Sequence, residues 1–110
     1  MNTSLHVLGG PDGRTPVPAK DHRELAEFFS VFSKRQVAVE KFELDGEEVC
    51  VSTVFLGTDY GFGLKGVHEW FETMVFPSQN VERCETWEQA EKQHARIVAA
   101  VKAKEIQAYE

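Results

Sequence analysis

The stretch VAVEKFELDGEEVCVSTVFL, residues 37–56, decides the fold. Two apolar-rich runs flank Asp45-Gly46, and an Asp-Gly pair is a strong short signal for a hairpin, because both central residues of a type I′ turn need positive φ. A two-residue turn fixes the register. Leu44 then faces Glu47, Phe42 faces Val49, Glu40 faces Val51 and Ala38 faces Thr53. One face of the hairpin holds Phe42, Leu44, Val49, Val51 and Phe55, and the other holds Val37, Val39, Cys50, Val54 and Leu56. A sheet covered on one side alternates apolar with polar. Here the half farthest from the turn is apolar on both faces, so each face is expected to be covered.

Toward the C-terminus a glycine-rich connection, GFGLKG at 61–66, leads into VHEWFETMVF at 67–76. Aromatic and β-branched residues dominate that segment and Pro77 closes it, which favours a strand, although a helical period also fits. Thr86 and Gln89 then form a T-x-x-Q capping box, and Trp87, Ala90, His94, Ile97, Val98 and Val101 trace one face of a helix running to about residue 104. Toward the N-terminus, Leu25, Phe28, Phe29 and Phe32 recur at helical spacing behind Asp21 as a cap, with Lys34 and Arg35 at the C-terminal end of the dipole. About three turns are expected. Residues 1–20 hold three of the four prolines and no sustained period, and are read as an irregular arm. The expected architecture is α+β: an antiparallel sheet built on the hairpin and packed against an N-terminal and a C-terminal helix, with 21–110 as a single domain.

Composition narrows the function. The 110 residues are 42% hydrophobic and 11% aromatic, which suits one compact domain. A formal charge of -6 argues against partners held by attraction to phosphate backbone or anionic lipid, so neither DNA, RNA nor a membrane is expected. Cys50 and Cys84 lack any zinc-binding spacing, and no apolar run reaches membrane-spanning length. A cytoplasmic protein without metal or cofactor is the expectation.

The GFGLKG stretch matches G-x-G-x-x-G letter by letter. A dinucleotide fingerprint also needs a parallel βαβ unit, whereas the strand before this loop belongs to an antiparallel hairpin, so the loop is read as a connector. Its backbone N–H groups and Lys65 could still hold a phosphate without that fold. No histidine has a partner in a recognised catalytic motif, so no catalytic residue is assigned. His94 on the helix face fits packing better than base catalysis, and a small hydrolase using His94 or His68 ranks lowest. Arg83 and Arg96 are the better phosphate ligands, because a guanidinium makes two hydrogen bonds to one group. Phe71 and Phe76 are candidates for stacking on a base. The candidate ligand-binding set is thus Phe71, Phe76, Arg83, Arg96, His94 and Lys65.

Three blocks carry a resemblance: VSTVFLGTDYGFG at 51–63, FETMVF at 71–76 and ERCETWEQAEKQHARIV at 82–98. In that order they resemble a group of small bacteriophage and prophage proteins showing V-S-T-V-x-L-G-x-D, F-E-T-M-x-F and E-R-Y-x-T-x-E-E-A-x-x-x-H. The chain departs at Cys84, where the group commonly has an aromatic residue. Phage proteins of similar size and build include anti-defence sponges of the Thoeris type, which sequester cyclic ADP-ribose signals. By analogy with that type the resemblance implies a protein of a bacterial host cell that binds a small nucleotide-like signal between subunits, and the hairpin face that a four-element chain leaves short of cover implies a homo-oligomer. The alternative is an acidic protein-interaction module that inhibits a defence or regulatory protein directly.

Overall fold

The computed structural model describes residues 5–109. The hairpin forms in the expected register. Strands β3 (Gln36–Leu44) and β4 (Glu47–Phe55) pair antiparallel with Leu44 opposite Glu47, Phe42 opposite Val49, Glu40 opposite Val51 and Ala38 opposite Thr53. Asp45 and Gly46 both take positive φ, 53° and 82°, as the tight turn requires. One irregularity corrects the expected faces. The pairing shifts between Gln36 and Ala38, so that Gln36 stands opposite Val54, and the bulge places Val37 in the core beside Phe55 and Phe71.

Strand β5 (Phe71–Phe76) pairs with β4, and β6 (Val81–Cys84) pairs with β5. The sheet order is β3-β4-β5-β6, an antiparallel meander throughout. The strand reading of 67–76 therefore holds for its second half only. Four-residue β6 carries too short an alternation to stand out in the sequence.

The C-terminal helix, α2 (Trp87–Lys102), begins at the expected Thr86–Gln89 capping box. It lies on one sheet face and buries Ala90, Gln93, His94, Ile97, Val98 and Val101. Val49, Val51 and Val75 meet its second half. Phe55 and Phe71 meet Ala90 near its start.

The N-terminal helix is shorter than expected: α1 (His22–Phe29) is capped by Asp21 but stops at Ser30, and Phe32–Lys34 form a separate 3-10 turn. Phe32 consequently leaves the helical face. Phe28 and Phe29 pack against the second core group instead, and Phe29 sits where a side chain on Gly57 would be. Residues 6–18, expected to be irregular, form a two-stranded ribbon of β1 (His6–Gly9) and β2 (Thr15–Pro18). Prolines are tolerated in such a ribbon because its edge N–H groups have no ladder to join. The ribbon belongs to the core: Val7 is buried, the His6 N–H donates to Gly57 O at 2.8 Å, and Arg14 lies over the Trp87 ring.

All this cover lies on the α2 side. The opposite face presents Val39 and Lys41 from β3, Cys50, Ser52 and Val54 from β4, Met74 and Phe76 from β5, and Val81 and Arg83 from β6. Among the described residues no helix lies across it.

Candidate functional site

The segment joining β4 to β5, residues 56–70, is an ordered loop built around one carboxylate. Asp59 Oδ1 accepts from the Gly61 N–H at 2.9 Å and from the Glu69 N–H at 2.7 Å, while Oδ2 meets His68 Nδ1 at 2.6 Å. Burial alone would raise the Asp59 carboxyl. The three hydrogen bonds, with the imidazole charge, outweigh it and hold the group below the ordinary carboxylate value. Backbone bonds from Leu56 N–H to Trp70 O and from Tyr60 N–H to Glu69 O extend the strand pairing into the loop. The chain also approaches itself closely at Gly61, where a Cβ would fall 2.6 Å from Val67 O, so only glycine fits.

This rigid base displays an apolar tip. Phe62 is 67% exposed and Leu64 is 69% exposed, with Tyr60 and Val67 also open to solvent. The Arg83 guanidinium lies 4.6 Å from the Tyr60 ring centre and donates through Nε to Glu72 at 3.0 Å, tying the loop to the uncovered sheet face. Asp59, Tyr60, Phe62 and Leu64 did not figure among the sequence candidates. Their signal was the interleaving in YGFGLKGV, where glycines alternate with large apolar residues that no period assigns to a core.

The six expected ligand residues do not converge. Phe71, expected to stack on a base, is 0% exposed and packs against Phe55 and Trp87, so neither ring face is free. His94 lies on the buried face of α2. Phe76 and Arg83 share the uncovered face, but Arg83 is already paired with Glu72. Arg96 points from α2 to an ion pair with Glu82. Lys65 sits in the loop with positive φ and has no ion pair among the described residues. The antiparallel pairing of β4 with β5 removes the dinucleotide reading of GFGLKG.

His94 belongs to a buried polar chain. The Gln93 amide donates to Thr73 Oγ1 at 2.9 Å, Thr73 and Thr53 hydroxyls lie 2.6 Å apart, and Thr53 Oγ1 lies 2.8 Å from His94 Nδ1. Every proton has a place only if Thr73 donates to Thr53 and Thr53 donates to an unprotonated Nδ1. A proton on Nδ1 would reverse the chain and leave the Thr73 hydroxyl without an acceptor. Burial likewise lowers the His94 pKa, with the Glu40 charge opposing it. His94 thus contributes stability fully above the unfolded histidine value of about 6.5, and loses it as pH falls through the lower folded value. Between about pH 7 and pH 5 the melting temperature should fall more steeply for the parent than for His94→Gln. Parallel profiles would contradict the buried neutral histidine.

The remaining reactive groups are quiet. The Cys84 thiol is pushed up to about 11 by burial and by Glu82 and Glu69, so it stays protonated at neutral pH. His68, oriented by Asp59, resembles half of a nucleophile-activating triad, but among the described residues no hydroxyl or thiol is hydrogen-bonded to it. No group of three or more metal-ligating side chains occurs among the described residues. No described helix is long and apolar enough to cross a membrane. Comparison with protein-family models, curated proteins and solved structures gives no match to this chain.

Proposed function

We propose that the chain is a protein-interaction module that inhibits a bacterial defence or regulatory protein by docking the 56–70 loop on it. The observation that carries this reading is the exposed apolar tip at Phe62 and Leu64 held on a braced base. Displaying such side chains opposes solubility, and a surface patch of this kind marks a contact site. Bracing lowers the ordering cost of binding, which turns the same contacts into higher affinity. The resemblance to phage proteins supplies the setting, a bacterial host cell and an anti-defence role. The acidic surface, at a formal charge of -6, suits a target whose docking site is apolar and rimmed by basic groups.

The signal-sequestering reading has less support. Of its six residues two are core, and Arg83 and Arg96 hold carboxylates that a phosphate would have to displace. Calorimetry of the protein with cyclic ADP-ribose isomers and cyclic dinucleotides separates the two. The interaction module gives no saturable heat; a saturable isotherm that Arg83→Ala weakens would return the sponge to first place.

A further inference from the structure

An apolar cleft lies between α1 and the start of the 56–70 loop. His22, Leu25, Ala26 and Phe29, which share one face of α1, form one wall, and Leu5, Leu56 and Gly57 form the other. The cavity holds about 390 Å³, within the roughly 300–1,000 Å³ of small-molecule sites, and its lining is apolar apart from His22. A surface helix ordinarily buries its apolar stripe against the core. None of the eight residues of α1 is fully buried, so this stripe stands open along the cleft.

At the Phe29 end the cleft meets a prepared cation. Arg35 Nε donates to Phe55 O at 3.2 Å, beside Leu56 in the chain, and the guanidinium carbon lies 4.8 Å from the Phe29 ring centre and 5.6 Å from that of Phe32. The backbone bond and the two rings hold the guanidinium in place, while its two Nη groups have no carboxylate partner among the described residues. Lys34 adjoins it and likewise has no ion pair among the described residues. The opposite end of α1 is acidic, with the Asp21 and Glu24 carboxylates accepting from backbone N–H groups of the first turn. An anionic head is therefore attracted to one end of the cleft and repelled from the other.

We propose that this cleft binds a single-chain amphiphilic carboxylate, with its chain along α1 and its head on Arg35. A carboxylate accepts two hydrogen bonds from one guanidinium, which matches the two free Nη groups. From His22 to Phe29 the helix runs about 10 Å at a rise of about 1.5 Å per residue, which suits a chain of medium length. A bilayer is not the source, because the formal charge of -6 opposes an anionic surface and the apolar groups line a recess. The site goes beyond the docking proposed for the loop tip, since neither Phe62 nor Leu64 lines it.

Calorimetry with octanoate and 1-octanol tests the assignment. The parent should bind octanoate saturably, and hexanoate more weakly by about fourfold for each CH₂ removed. Arg35→Gln keeps an amide donor for Phe55 O and should weaken octanoate about tenfold or more, the usual worth of a charge-assisted hydrogen bond, while leaving 1-octanol unchanged. Added salt should weaken octanoate and spare 1-octanol, a contrast that needs no variant. Ala26 is exposed, so Ala26→Phe should fill the cleft without disturbing the core and abolish binding of both probes. Phe62→Asp with Leu64→Asp should bind octanoate as the parent does, which separates this site from the loop. No saturable heat from octanoate with the parent, equal octanoate affinity in Arg35→Gln, or binding that survives Ala26→Phe would each overturn the proposal.

Discussion

Phe71→Ala is expected to lower the free energy of unfolding by about 3–5 kcal/mol, the usual cost of removing a fully buried phenylalanine. Phe71 lies where three elements meet. Its ring contacts Phe55 on β4 at a centroid distance of 5.5 Å and Trp87 at the start of α2 at 6.1 Å, the second edge to face. Truncation leaves a cavity that neither strand can close, because β5 is paired on both sides. Domains of this size are commonly stable by only about 5–15 kcal/mol, so the alanine variant loses a large part of the total. Phe71→Leu keeps most of the volume and should cost less than about 1.5–2 kcal/mol, which gives a foldable comparison. Urea unfolding followed by tryptophan fluorescence reads both. A Phe71→Ala protein as stable as the parent would show that the ring is not the centre of this core.

The contrast between hairpin and loop shows what one sequence declares by itself. The β3-β4 register is set by a local rule, two residues with positive φ between alternating runs, and every expected pair is found. The start of α2 is equally local, because Thr86 and Gln89 satisfy each other's backbone donors. Failures came where the answer depends on distant partners. The His6–Pro18 ribbon is held by Gly57, Trp70 and Trp87, none of them near it in the chain. α1 ends at Ser30 although the apolar period continues to Phe32. Val37 enters the core through a bulge that period-two counting cannot register.

Site residues were less legible for the same reason. Phe71 and Phe76 are both aromatics of one strand, yet alternation within FETMVF sends them to opposite faces, one beneath α2 and one outward. Arg83 and Arg96 stand out in the sequence as phosphate ligands, but strand pairing brings Glu72 to the first and Glu82 lies within reach of the second. The Asp59 brace joins residues nine and ten positions apart through a fold of the loop that no period announces.

The largest functional effect is expected at the loop tip. Phe62 and Leu64 have little to lose inside the chain, so Phe62→Asp with Leu64→Asp should change stability by no more than about 0.5 kcal/mol, as for ordinary surface substitutions. In the complex the same change places two carboxylates in an apolar contact. Central contact residues are each worth about 2 kcal/mol or more, so target affinity should fall at least a hundredfold. Asp59→Ala acts one step back: it leaves the tip's chemistry intact, unties Gly61, Glu69 and His68, and should weaken docking by a smaller factor through lost pre-organisation.

The most direct measurement is phage plating on host strains that each carry one defence system, with the parent or a loop variant expressed from a plasmid. The interaction module predicts that the parent restores plating against at least one system and that Phe62→Asp with Leu64→Asp, folded by circular dichroism, returns it to the level of empty plasmid. Protection by that variant equal to the parent's, or no protection by the parent against any system, would contradict the assignment of function to the loop.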